Sequence, residues 1–227
     1  MTMSLLVKIC GLRTPEALDA ALDAGADLVG FVFFAASPRN VSVAAARALG
    51  ARAQGRAAKV ALSVDADDAL LEEIVEALQP DMLQLHGRET PERVGAVKVR
   101  FGRAVMKALP IAEASDLAAV PAYAGVADRL LFDALPPRDA TRPGGLGQPF
   151  EWRLLQRVDP GIPFMLSGGL DAANVADALS ITGAPAVDVS SGVERAPGEK
   201  DPDKIRAFVA AARAAATRLR NPLASPA

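Results

Sequence analysis

The stretch Leu28-Val29-Gly30-Phe31-Val32-Phe33-Phe34 is apolar on both of the faces a strand presents. Such a strand must be covered on both sides, as in a parallel sheet wrapped by helices. The chain around it repeats one unit, an apolar run followed by an amphipathic segment. Leu5 to Gly11 reads as a first strand, stopping before the helix-start signal Thr14-Pro15-Glu16, and Pro15 to Ala24 as a helix closed by Gly25. The other strands are expected at Val60 to Val64, Met82 to Leu85, Ala104 to Ala108, Arg129 to Phe132, Pro163 to Leu166 and Ala186 to Val189. Helices are expected at Ser42 to Gln54, Asp67 to Leu78, a short one from Thr90, Glu113 to Val120, Phe150 to Val158, one from Asp171, and Pro202 to Leu219. Eight strand-then-helix units match a single α/β domain of the (β/α)8 TIM-barrel type. A doubly wound open sheet is the alternative. Polar residues collected at strand ends favour closure, because a barrel brings all eight C-terminal loops around one mouth.

At 227 residues, 51% of them apolar, the chain is long enough for one such domain, expected over 1–220 with a loose tail at 221–227. Twenty-five basic and 27 acidic residues leave a net charge of -2, which gives no long-range pull toward nucleic acid or an anionic membrane. The longest apolar run, Leu28 to Ala36, is too short to span a bilayer, and no basic segment followed by an unbroken apolar stretch opens the chain. The expectation is a soluble, cytoplasmic protein with neither nucleic-acid nor membrane partners. A single cysteine allows no internal disulfide, and one cysteine with one histidine argues against a zinc site, so no metal is expected.

Chemistry collects at the strand ends. Side chains alternate along a strand, so Lys8 and Cys10 share the interior face, with Cys10 at the C-terminal tip. Lys8 then needs a buried partner, and Asp188, on the last strand and adjacent to the first in a closed barrel, is the expected one. Ser167-Gly168-Gly169 leaves the seventh strand and Ser190-Ser191-Gly192 the eighth. Glycine lets backbone N–H groups approach an anion, and barrels often hold phosphate at those two loops. Asp133 ends the sixth strand, opposite Cys10, and is followed by a loop, Ala134 to Gln148, whose Gly144, Gly145 and Gly147 suit a mobile cover. Arg39 offers a planar fork to a carboxylate, and His86, ending the fourth strand, is placed to hydrogen-bond in the mouth.

Taken together, Lys8-Ile9-Cys10-Gly11-Leu12, Gly30-Phe31-Val32-Phe33 with Ser37-Pro38-Arg39, Gln84-Leu85-His86-Gly87, Leu131-Phe132-Asp133, Ser167-Gly168-Gly169 and Asp188-Val189-Ser190-Ser191-Gly192-Val193-Glu194 resemble the phosphoribosylanthranilate isomerase family of tryptophan biosynthesis. The match runs in order over nearly the whole chain. It implies a cofactor-free Amadori rearrangement of a small phosphoribosyl substrate, with Cys10 as general base and Asp133 as general acid. Arg39 would hold the anthranilate carboxylate. Gly168, Gly169, Ser190, Ser191 and Gly192 would hold the phosphate, with Asp188 and His86 also in the binding site. The expected state is a monomer or homodimer. The chain departs from the family pattern at Val64-Asp65, where Val-Asn is common, and at Leu146, where Thr is expected. A related sugar-phosphate isomerase of the histidine pathway would need a carboxylate in place of Cys10. A non-catalytic phosphate-binding barrel would be indifferent to Cys10.

Overall fold

The computed structural model describes residues 5–137, 139–140, 142–147, 149–156 and 158–220, so the expected tail 221–227 lies outside the described residues. Eight parallel strands close into a barrel in sequence order: β1 (Leu6–Cys10), β2 (Leu28–Phe33), β3 (Ala58–Ser63), β4 (Met82–Leu85), β5 (Ala104–Ile111), β6 (Arg129–Ala134), β7 (Phe164–Leu166) and β8 (Ala186–Val189). The ring is sealed where β1 pairs with β8, Lys8 standing opposite Asp188.

The strands are apolar on both faces because each face packs on something different. Outward residues such as Val7, Ile9, Val29 and Phe31 join the layer of surrounding helices, while inward Leu28, Val60, Met106, Leu131, Met165 and Ala186 fill the barrel itself. Helices α1 (Pro15–Asp23), α2 (Val43–Ala53), α3 (Asp68–Leu78) and α4 (Pro91–Phe101) each begin at a capping side chain, Thr14, Ser42, Asp67 and Thr90, that accepts a backbone N–H three residues on. After these come α5 (Val120–Ala124), α6 (Val175–Thr182) and α7 (Pro202–Arg220).

Several elements differ from the sequence expectation. β5 runs through Pro110 to Ile111, past the expected end at Ala108. Its pairing with β4 stops at Lys107 while that with β6 continues to Ile111, so Pro110 sits at a one-sided stretch where a missing N–H breaks no ladder on the β4 side. The short helix from Thr90 is a full three turns in α4. The helix at Glu113 to Val120 becomes a 3-10 segment, Ala114–Ala119, running into α5, and the helix at Phe150 to Val158 reduces to the 3-10 turn Trp152–Leu155. A segment this short does not offset the cost of helix nucleation, and it is held by burial of Leu155. A small hairpin, β9 (Glu194–Ala196) and β10 (Glu199–Lys200), was not anticipated, although Pro197-Gly198 between its strands is a turn signal.

The candidate active site

The mouth of the barrel is built on a polar layer set above the apolar interior. Lys8 is 0% exposed, and its Nζ lies 2.9 Å from Asp188 Oδ1, as the sequence required of a lysine facing inward. Ser167 Oγ donates to the other Asp188 oxygen at 3.4 Å. Burial alone would lower the Lys8 pKa, but the Asp188 and Cys10 charges outweigh it and hold Lys8 above its ordinary value. Room for this lysine exists because residue 30 on β2 is glycine: a Cβ there would meet Lys8 Cε at 3.2 Å and Cys10 Sγ at 3.0 Å.

Cys10 caps this layer at 3% exposure, with apolar Val32 and Leu62 beside it. Burial is the strongest influence on its thiol and pushes the pKa up. The Lys8 charge pulls it down, Asp188 pushes it up again, Lys200 pulls it down, and the balance stays above the ordinary value. Lys8 therefore does not turn Cys10 into a resting thiolate, because burial outweighs its charge and Asp188 opposes it.

Cys10 lines a cavity of about 800 Å³, counted out to open solvent, that also takes in Arg39, His86, Asp133, Gly168, Gly169, Ser190 and Ser191. Asp133 is 6% exposed; its Oδ1 accepts from Ala134 N at 2.9 Å and its Oδ2 lies 3.3 Å from His86 Nε2. Gly144, in the loop after β6, comes so close that a Cβ would lie 2.6 Å from Asp133 Oδ2 and 2.9 Å from His86 Nε2. The loop thus folds over the acid end of the cavity.

The glycine loops meet each other. Gly168 and Gly169 have φ of 85° and 65°, a left-handed pair that turns the chain sharply out of β7. Gly192 does not line the cavity. It stands behind the wall, where a Cβ would run into the carbonyl oxygen of Leu170. Gly192→Ala is accordingly expected to push the two loops apart and raise KM by about 10²-fold, the scale of a misplacement near 1 Å. Steady-state kinetics beside a urea melt checks this; a lost fold with normal KM in the surviving fraction would contradict it.

Arg39 is only 3% exposed and is gripped rather than solvated. Its Nε donates to Glu194 Oε1 at 2.7 Å and its Nη2 to Glu194 Oε2 at 2.8 Å, with a further bond from Nη2 to Gly145 O. Glu194 also accepts from Lys200 Nζ at 2.8 Å. Burial would raise the Glu194 pKa, but Arg39 and Lys200 overcome it and hold the carboxyl below its usual range. Lys200, pushed down to about 8 mainly by burial, also donates to Ser190 O at 2.7 Å and Ser190 Oγ at 3.2 Å. This buried cluster of two cations and one anion ties the loop after β8 to Arg39 and leaves one positive charge beside the glycine loops. Sequence reasoning missed Lys200, whose signal was the Pro197-Gly198 turn that returns it to the mouth. The Asp65 departure is conservative in space: Asp65 has φ of 49°, which Asp and Asn both tolerate, and its Oδ1 accepts from Arg88 N at 2.6 Å, as an amide oxygen would.

A closed (β/α)8 barrel whose strand ends gather a thiol, a carboxylate and a gripped arginine into one cavity belongs to the class of barrel enzymes that work at the C-terminal mouth. A sequence profile described as N-(5'-phosphoribosyl)anthranilate (PRA) isomerase matches residues 7–211. A Bradyrhizobium diazoefficiens protein named N-(5'-phosphoribosyl)anthranilate isomerase is 64% identical over 212 residues, 93% of this chain and 95% of its own length. A Nitrobacter winogradskyi protein of the same name is 64% identical over 96% of this chain and 97% of its own. Among solved structures, phosphoribosyl anthranilate isomerase from Thermotoga maritima superposes with a TM-score of 0.84 at 32% identity, covering 92% of this chain and 99% of that one. Another, in complex with reduced 1-(o-carboxyphenylamino)-1-deoxyribulose 5-phosphate, superposes at 0.81 with 31% identity over 92% and 99%. The chain belongs to the phosphoribosylanthranilate isomerase family, isomerases of tryptophan biosynthesis.

Proposed function

The family's reaction turns N-(5'-phosphoribosyl)anthranilate into 1-(2-carboxyphenylamino)-1-deoxyribulose 5-phosphate, and we propose that this chain carries it out with Cys10 as base and Asp133 as acid. The observation that carries this is that one cavity holds both groups, a thiol on β1 and a carboxylate on β6, with an anion-suited wall between them on the β7 and β8 side. A proton from the Asp133 carboxyl to the ribose ring oxygen opens the ring and leaves an iminium. That cation acidifies the C2′ proton, which the Cys10 thiolate removes; the resulting enolamine then tautomerises to the ketone. The raised thiol pKa trades population of the thiolate for strength, since a more basic anion takes a carbon-bound proton faster. Gly168, Gly169, Ser190 and Ser191 hold the phosphate, supported by the extra positive charge of the Arg39–Glu194–Lys200 cluster. Arg39 takes the anthranilate carboxylate through the Nη1 side of its fork, its Nε and Nη2 being held by Glu194. Asp188 serves the site through Lys8, and His86 through Asp133. A Thermotoga maritima relative is described as dimeric, and this chain works as a monomer or homodimer. No helix among the described residues is long and apolar enough to cross a membrane.

The single thiol gives a direct test. Iodoacetamide is expected to alkylate Cys10 more slowly than a free thiol at pH 7, with the rate still climbing above pH 8.5 because burial raises the pKa. One equivalent incorporated abolishes turnover, and the reduced product analogue protects. Full activity after stoichiometric alkylation would end the assignment of Cys10.

A further inference from the structure

Gln84 lies on β4 inside the barrel, 0% exposed, in register with Leu62 of β3 and Met106 of β5. Two of its features conflict with a packing role. Its amide nitrogen is 2.9 Å from His86 Nδ1, while its amide oxygen is buried without a hydrogen-bond partner among the described residues. An unpaired buried carbonyl weakens a fold, and a methionine of similar length beside Leu62 and Met106 would avoid it. The polar side chain is therefore held for what its other end does.

That end can only donate, because an amide nitrogen carries two protons and no free lone pair. His86 Nδ1 must then be the acceptor, which puts the ring proton on Nε2. That nitrogen is 3.3 Å from Asp133 Oδ2, a close contact short of hydrogen-bond alignment, so the proton lies on the side of the ring that faces the carboxylate. A neutral imidazole donating to Asp133 stabilises it in its ionised form, the form the general acid reaches as it transfers its proton. Distances at such sites shorten as charge develops.

We propose that Gln84 is a positioning residue that locks His86 in the Nε2–H tautomer, so that His86 stabilises the negative charge appearing on Asp133 during proton donation. This rests on the reading of Asp133 as the acid. The surroundings favour the mechanical side of the role: Lys107 donates to Leu85 O, Gly87 O and, at 2.9 Å, Glu89, fixing the turn that bears His86 from behind.

The test uses the fact that His86 is the chain's one histidine, so its ring nitrogens can be read in the intact protein without assignment mutants. The 15N spectrum of the resting enzyme should show a protonated Nε2 and a bare Nδ1. In Gln84→Glu the new carboxylate accepts from Nδ1, so that nitrogen becomes protonated. Gln84→Met, which cannot donate, should lose the tautomer preference and lower kcat about 10- to 100-fold, as removal of an imidazole's orienting partner commonly does, with KM unchanged. Its unfolding midpoint should stay level or rise, which a structural role would not allow. A resting spectrum with the proton on Nδ1, corresponding to the opposite amide orientation, overturns the proposal. So does a Gln84→Met enzyme with normal kcat. Failure of the Asp133 reading would show separately, as an active Asp133→Asn enzyme whose resting spectrum is still of the Nε2–H form.

Discussion

Cys10→Ser and Asp133→Asn should each lower kcat by about 10²–10⁴-fold, followed as the loss of anthranilate fluorescence from freshly made phosphoribosylanthranilate above its spontaneous decay. Serine keeps the size of the side chain but its hydroxyl stays protonated far above neutral pH, so the base is lost while the wall of the cavity is kept. Asparagine keeps the contact with His86 and removes the proton to be given. Both substitutions keep the size of the side chain beside the glycine loops, so affinity for the reduced product analogue should change little. The losses should not multiply: acid and base act on one rearrangement, and the double variant is expected close to the weaker single one. Turnover of the parent enzyme should rise with pH through the neutral range as the thiolate fraction grows, because burial places the thiol pKa above its usual value. A Cys10→Ser enzyme with wild-type kcat would remove the thiol from the chemistry and bring forward the reading of a phosphate-binding barrel that needs no base.

How far the sequence alone carried this depended on whether a feature was local or assembled. Strand parity put Lys8 and Cys10 on one face, and barrel closure put Asp188 next to Lys8, so their contact followed from two rules with no side-chain detail. Gly168 and Gly169 were legible for the same reason, since a glycine pair at a strand end already specifies a turn. The Arg39–Glu194–Lys200 cluster was not. Its members are separated by 155 residues in one link and brought home by a six-residue excursion in the other, and no periodicity records such a meeting. The fate of Gly192 was also hidden: the sequence marks a glycine near phosphate, while only the fold shows that its missing Cβ makes room for Leu170. The direction of the thiol pKa was not legible either, because the depth of burial that raises it, against the pull of Lys8, is a property of the assembled barrel.

Lys8→Met is expected to destabilise the protein by about 3–5 kcal/mol in urea unfolding, since it leaves the Asp188 carboxylate buried without its cation. Against a total of about 5–15 kcal/mol for a domain, that is enough to bring the variant near the edge of folding at 37 °C. The cost lies in the orphaned charge rather than in a lost attraction, and a second substitution separates the two. In Lys8→Met/Asp188→Leu no charge remains, and most of the stability should return. The same pair sets a pH limit. Lys8 has a folded-state pKa above its unfolded value of 10.5, so its contribution is fully present below that value and is lost only as pH rises beyond it, through the folded pKa. At the neutral pH of the reaction, the floor under Cys10 is therefore rigid and electrically nearly neutral. This suits a site whose base must switch between thiol and thiolate: a free ammonium beneath Cys10 would hold the anion too well for it to take a proton from carbon. If the double variant stays as unstable as Lys8→Met, the pair contributes packing rather than charge balance.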